Sequence, residues 1–173
     1  MKELEYLKAN SNQTLLEAIK ELRVAEGADN DAAEYISPEL LDDIELHDVI
    51  HTVFACPTSL KGEILAHIWS VFGTSLSMKE MHRVSSHSDH KKVLREIGHI
   101  KLLKTWFKNI PNILRIVFRS KKMHKKWSAH EFEHYLEMTL QEIRAEYGIQ
   151  VIKDSSSKPT SGGAALRSIH SNS

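Results

Sequence analysis

Hydrophobic residues recur along this chain every three or four positions, the period of a helix that buries one face. Leu15, Leu16, Ile19 and Leu22 predict a first helix, with Gly27 placed to end it. Ser37-Pro38 reads as a start signal, a capping hydroxyl followed by a ring whose fixed φ suits the first helical position. Leu40, Leu41 and Ile44 follow. Leu46, Val49, Ile50, Val53 and Phe54 then carry an apolar face up to Cys56-Pro57, where proline drives the preceding residue out of the helical region. Thr58 or Ser59 can cap the next helix, which bears Ile64, Leu65, Ile68, Trp69 and Phe72 and stops at Gly73. Residues 91–108 and 111–123 predict two more helices, parted at Asn109-Ile110-Pro111. Ser128 and Glu131 have capping-box spacing and open a last helix with Phe132, Tyr135, Leu136, Leu140, Ile143 and Tyr147 on one stripe, closed by Gly148. No segment alternates as a strand does. The expected fold is all-α, a compact bundle of about six helices.

Composition changes this picture at the C-terminus. Residues 153–173 are rich in Ser, Gly and Pro and poor in large apolar side chains. Such a segment buries too little surface to offset its chain entropy. The expected organisation is therefore one helical domain, residues 1–152, and a disordered tail, residues 153–173. Cys56 is the only cysteine of the 173 residues, so no internal disulfide can form. The opening MKELEYLKAN has no apolar run and predicts no signal peptide. No stretch approaches the roughly 20 apolar residues of a spanning helix. These features predict a cytoplasmic protein, peripheral on the inner face of a membrane if it meets one.

Net charge is zero but segregated. Residues 1–63 hold five Lys/Arg against fourteen Asp/Glu, a balance of −9; residues 82–127 hold thirteen against two, a balance of +11. Local charge therefore says more about partners than the overall value.

The candidate chemistry lies in His47-Asp48-Val49-Ile50-His51. Two histidines four apart share a helix face one turn apart, and a neutral imidazole is the commonest metal ligand. Asp48 points about 100° away around the helix; it can bind metal, orient a histidine or cap a neighbouring helix. Glu63 lies early in the following helix, and a short connection turns it back toward the pair. His67 is four residues beyond Glu63, and its plainer reading is a helix-face histidine. Two histidines and one carboxylate leave positions open for water or substrate, the mark of a catalytic rather than a structural site. His82, His87, His90 and His99 cluster around a polar loop; only His87 with Asp89 and His90 has ligand spacing supported by an acid, and the plainer reading is a polar loop.

His-Asp-x-x-His, eleven residues, then Glu resembles the signature of the coenzyme Q biosynthesis protein family Coq-four, matched here by His47, Asp48, His51 and Glu63. The segment HKKWSAHEFEHYLEMTLQEIRAEYGI resembles that family's closing helix. The likeness spans roughly residues 35–152. It implies an all-helical fold and a divalent metal, usually described as zinc, held by the four motif residues. It also implies work on a polyprenylated quinone precursor: loss of the carboxyl group at ring carbon one and installation of oxygen there. Members are also described as organisers of a biosynthetic complex, so a non-catalytic lipid-binding scaffold is the competing reading. Chemistry leaves the metal open. Zinc acts only as a Lewis acid or water activator, whereas two His and a carboxylate also suit iron(II).

The basic stretch interleaves Lys101, Lys104, Lys108, Arg115, Arg119, Lys121, Lys122, Lys125 and Lys126 with Trp106, Phe107, Val117, Phe118 and Trp127. That suits an anionic membrane surface. Nucleic acid and a solvated face are the alternatives. Other quinone-biosynthesis proteins and a second copy of the chain complete the expected partners. The apolar residues around the motif predict a channel from His51 and Glu63 toward the face of residues 106–118.

Overall fold

The computed structural model describes residues 4–26, 46–77 and 99–152. Among them lie five α-helices: α1 (Leu15–Ala25), α2 (Leu46–Val53), α3 (Leu60–Gly73), α4 (His99–Ser120) and α5 (Leu140–Tyr147). One 3-10 turn, Glu5–Leu7, precedes α1, and another, Ala129–Tyr135, lies between α4 and α5. No strand occurs among the described residues, so the all-helical expectation holds. The Ser37-Pro38 start, the His82–His90 loop and the tail from residue 153 lie outside the described residues.

α1 begins with a reciprocal cap. Thr14 Oγ1 accepts from the Glu17 amide, and the Glu17 carboxylate accepts from the Thr14 amide. The predicted Leu15, Leu16, Ile19 and Leu22 are its buried face, together with Ala18. The two amides at its start still need acceptors. They donate to the carbonyls of Met138 (2.9 Å) and Leu136 (3.1 Å). In return, the Leu140 and Gln141 amides at the start of α5 donate to the carbonyls of Gln13 and Ser11. Two helix N-termini thus cap each other through their leader segments.

This exchange corrects the expectation of one helix from Ser128 to Tyr147. Carbonyls at 136 and 138 that bond to α1 cannot continue a helical ladder. The chain runs as a 3-10 turn and then restarts at α5, capped by Thr139 and Glu142 rather than by Ser128 and Glu131. Gly148 closes α5 at φ +68, as expected.

The second correction concerns Pro111. The described part of the basic stretch is one helix, His99–Ser120, that continues through the proline. Proline removes one backbone donor. Nearby, the Asn109 side-chain amide donates to the Thr105 carbonyl at 2.8 Å. α4 packs most extensively on α3, and α1 on α2. The core they enclose holds Trp69, Trp127, Tyr6 and Phe54, with Phe54 stacked on Trp69 at a 4.6 Å centroid distance.

Arg144 of α5 ties residues 6–9 and the end of α2 together. It is 3% exposed and, among the described residues, donates to backbone carbonyls: Val53 (2.8 Å), Thr52 (2.8 Å), Tyr6 (2.9 Å), Lys8 (2.6 Å) and Ala9 (3.4 Å). Two of these are end carbonyls of α2, where a cation also answers the helix dipole. Burial lowers its pKa to about 10, so it stays charged at neutral pH.

Candidate metal centre

α2 ends in a turn that shapes the site. The Ala55 amide donates to the Thr52 carbonyl and the Cys56 amide to the His51 carbonyl at 2.8 Å, the bond pair of a Schellman closure. Ala55 takes the left-handed conformation at φ +53, which costs a non-glycine residue roughly 1 kcal/mol or more. The turn carries the Cys56 carbonyl back over α2. There His51 Nδ1 meets it at 3.0 Å. A carbonyl only accepts, so Nδ1 carries the proton, and in the neutral ring Nε2 presents its lone pair to the cluster. The Tyr6 hydroxyl donates to the same carbonyl at 3.3 Å.

α3 starts close against this turn. Ser59 caps it by accepting from the Gly62 amide. A Cβ on Gly62 would stand 1.6 Å from the Pro57 carbonyl oxygen, so only glycine permits the approach. Glu63, the next residue, is thereby brought over the histidine face of α2.

Three side chains converge there. His51 Nε2 and His47 Nε2 are 3.2 Å apart, His47 Nε2 is 3.1 Å from Glu63 Oε2, and His51 Nε2 is 3.4 Å from Glu63 Oε1. The ligand atoms of this trio all lie within 4.8 Å of one another. A tetrahedral zinc ion with bonds of about 2.0–2.1 Å needs donors about 3.3 Å apart. The separations therefore fit three donors on one face of such a shell. Side-chain exposure grades from 1% at His51 and 15% at His47 to 29% at Glu63, so the site opens on the glutamate side.

Asp48 faces elsewhere. Its Oδ2 accepts from Arg23 Nε of α1 at 3.1 Å, and its Oδ1 lies 3.9 Å from His47 Nδ1. It stands behind His47 on the side away from Glu63's contact with Nε2, and is not one of the clustered donors. His67 is exposed on α3 and is likewise not one of them.

Charge follows this geometry. Burial opposes an imidazolium at His47, but hydrogen bonding and charge from Asp48 and Glu63 outweigh it and raise its pKa to about 9. Burial pushes the Glu63 carboxyl up, yet His47 and His51 overcome this and hold it well below the usual carboxylate range. Asp48 is also lowered, by His47 and Arg23 against burial. Burial and the Glu63 charge push the Cys56 thiol up, so it stays protonated. Arg23, Gly62 and Arg144 were not singled out from sequence; Gly62, immediately before the candidate ligand, carried the only local signal.

Fold and site together define an all-helical protein with a candidate centre of two histidines and one carboxylate. Residues 29–153, well over half of the chain, match the family model of the coenzyme Q (ubiquinone) biosynthesis protein Coq4, and the chain belongs to this family. Membership implies a role in ubiquinone biosynthesis, among the proteins of that pathway. No curated protein and no solved structure matches the chain. The match takes in His47, Asp48, His51 and Glu63, whereas Arg23 precedes it.

Proposed function

We propose that residues 1–152 form one metal-binding domain, followed by a tail, that holds a divalent ion through His47, His51 and Glu63 and acts on a polyprenylated quinone precursor. The reaction is loss of the carboxyl group at ring carbon one as carbon dioxide and installation there of one oxygen atom of dioxygen, the other leaving as water with two electrons and two protons from an external reductant. The carrying observation is the facing pair of Nε2 atoms at 3.2 Å with both Glu63 oxygens alongside. A bound ion would supply Lewis-acid polarisation of the substrate carboxylate or, if it is iron(II), oxygen chemistry. The donor set accommodates zinc and iron(II) alike.

The protein's own groups preorganise the site. The Cys56 carbonyl fixes the His51 tautomer, and Arg23 holds Asp48 near His47 Nδ1, where it orients that ring. Glu63 borders the more exposed side, where substrate would enter. Val49, Ile50, Val53, Phe54, Ile64 and Ile68 are buried core, and Phe72 is 39% exposed. We place the prenyl tail along the surface between α3 and α4, with the protein working at an anionic membrane.

A second reading has its own support. His47 pairs with Glu63 and His51 with Cys56, a polar cluster that can also lock α2 to α3 in a lipid-binding scaffold. Purified protein supplied with zinc or iron(II) separates the two. Metal-dependent release of carbon dioxide from a prenylated 4-hydroxybenzoate-type acid, lost in His51→Ala, supports the enzyme. Metal binding without turnover under aerobic and anaerobic conditions supports the scaffold.

A further inference from the structure

α4 presents the opposite of a buried amphipathic face. Ile116 on its inner side is 0% exposed, while Phe107 is 63%, Ile110 43%, Leu114 52% and Phe118 64% exposed. These four are spaced three, four and four residues apart, which sets them on one line of the helix. At about 1.5 Å per residue the line runs roughly 16 Å. Monomeric proteins leave single apolar side chains in water but rarely a contiguous row of large ones.

The flank of this row identifies what covers it. Lys104, Lys108 and Arg115 are exposed and lie about 60–100° around the helix from the Phe107–Phe118 line. His99–Ser120 contains no Asp or Glu, and Lys121 and Lys122 follow directly. A second copy docked through the row would set these cations beside their symmetry mates with no α4 acid between them. A protein groove would have to supply both an apolar floor and a long acidic rim. An anionic lipid surface supplies both at once, acyl chains for the aromatics and headgroup phosphates for the cations. No described helix is long and apolar enough to cross a membrane, so the helix would lie in the plane of the interface.

We propose that α4 is the docking face of this protein for anionic membranes, with Phe107, Ile110, Leu114 and Phe118 inserted among the acyl chains and Lys104, Lys108 and Arg115 at the headgroups. This extends the membrane placement proposed above and assigns it a surface; it does not depend on the metal centre.

Trp106 provides a built-in reporter. Of the three tryptophans, Trp69 and Trp127 are 1% and 0% exposed, whereas Trp106 is 36% exposed beside the row. The full chain is titrated with phosphatidylcholine vesicles, with and without phosphatidylglycerol. Docking shifts the emission to shorter wavelength with the anionic vesicles only, brominated lipid quenches it, and Trp106→Phe removes the response. Phe107→Ser with Phe118→Ser weakens vesicle binding at least about tenfold, given the apolar surface withdrawn from water by two phenyl rings. Lys104→Glu with Lys108→Glu weakens it too and removes most of its salt dependence. The proposal is overturned if the full chain ignores anionic vesicles. It is equally overturned if the Phe variant binds them undiminished, or if that variant only abolishes a concentration-dependent dimer. His51→Ala is titrated in parallel: docking retained by a metal-depleted variant separates this surface from the metal reading, and loss of metal site and docking together would tie them.

Discussion

α2 and α4 invert each other's burial. α2 hides polar groups: His51 is 1% and Thr52 0% exposed, and each has a partner, His51 Nδ1 at the Cys56 carbonyl and Thr52 Oγ1 at the Val49 carbonyl. α4 shows apolar ones, with Phe107 and Phe118 63% and 64% exposed. Each departs from what folding alone favours, since buried polar groups must be fully hydrogen-bonded to be tolerated and exposed phenyl rings forgo burial energy. The two departures teach different things. The first is answered inside the molecule by the Schellman turn, Tyr6 and Arg144. The second has no answer among the described residues and points outward to a surface. Function is expected where a sequence breaks its own folding rules, and here it breaks them in opposite directions on two helices.

The sharpest way to break the comparison is to remove the support behind α2. Arg144→Met takes the guanidinium donor from five backbone carbonyls, of which Thr52 and Lys8 keep an amide donor, from Ala55 and Ser11. Loss of a buried, hydrogen-bonded charge of this kind costs about 3–5 kcal/mol. Urea denaturation should show that loss, and Arg144→Lys should not restore it, because an ammonium cannot span the same carbonyls. A change below about 1 kcal/mol would mean that the staple does not hold α2.

Next in size is Gly62→Ala. The new Cβ must displace the Pro57 carbonyl, at about 1–3 kcal/mol by the usual cost of overpacking. Glu63 moves with it, so metal affinity should fall along with stability. A variant that is destabilised yet binds metal as tightly as the parent would show that the close approach serves packing alone.

The pH response tests the cluster directly. With its pKa raised from 6.5 to about 9, His47 stabilises the metal-free fold fully below 6.5, and this contribution fades as pH climbs through about 9. Glu63, lowered from 4.5, contributes above 4.5 and loses its contribution as pH falls through its depressed folded value. At pH 7 metal binding must therefore displace the His47 proton. Calorimetry in buffers of different ionisation heat should show roughly one proton released per ion at pH 7 and little above pH 9. Release that does not vary with pH would contradict the pairing of His47 with Glu63.

The smallest effect is expected on the other helix. Phe107→Ser with Phe118→Ser should change folding stability by no more than about 0.5 kcal/mol, as surface substitutions do. A larger loss in urea would show that these rings pack within the protein and that α4 is not the inverse of α2.

Much of the candidate metal centre was legible because its information is local. His47 and His51 meet through helix periodicity alone, and Glu63 follows because the Cys56-Pro57 turn is short. Asp48 was legible as a residue but not as a contact, since its partner Arg23 comes from α1 and the packing of α1 on α2 leaves no periodic trace. Arg144 looks like any polar position on an amphipathic helix; only the folded chain gathers its five carbonyls. The misplaced boundaries have the same origin. Ser128 and Glu131 have good capping spacing, but tertiary bonds from Leu15 and Leu16 draw off the carbonyls of Met138 and Leu136 and restart the helix at Thr139. Pro111 was read as a break, yet α4 runs through it.

The most direct test is elemental analysis of the purified full chain beside His51→Ala, Glu63→Ala and His67→Ala. His67 shares α3 with Glu63 but is not one of the clustered donors. The account predicts about one divalent ion per chain in the parent and in His67→Ala, and loss of most of it in the other two. Equal metal content in the parent and His51→Ala, with both folded by circular dichroism, would contradict the site.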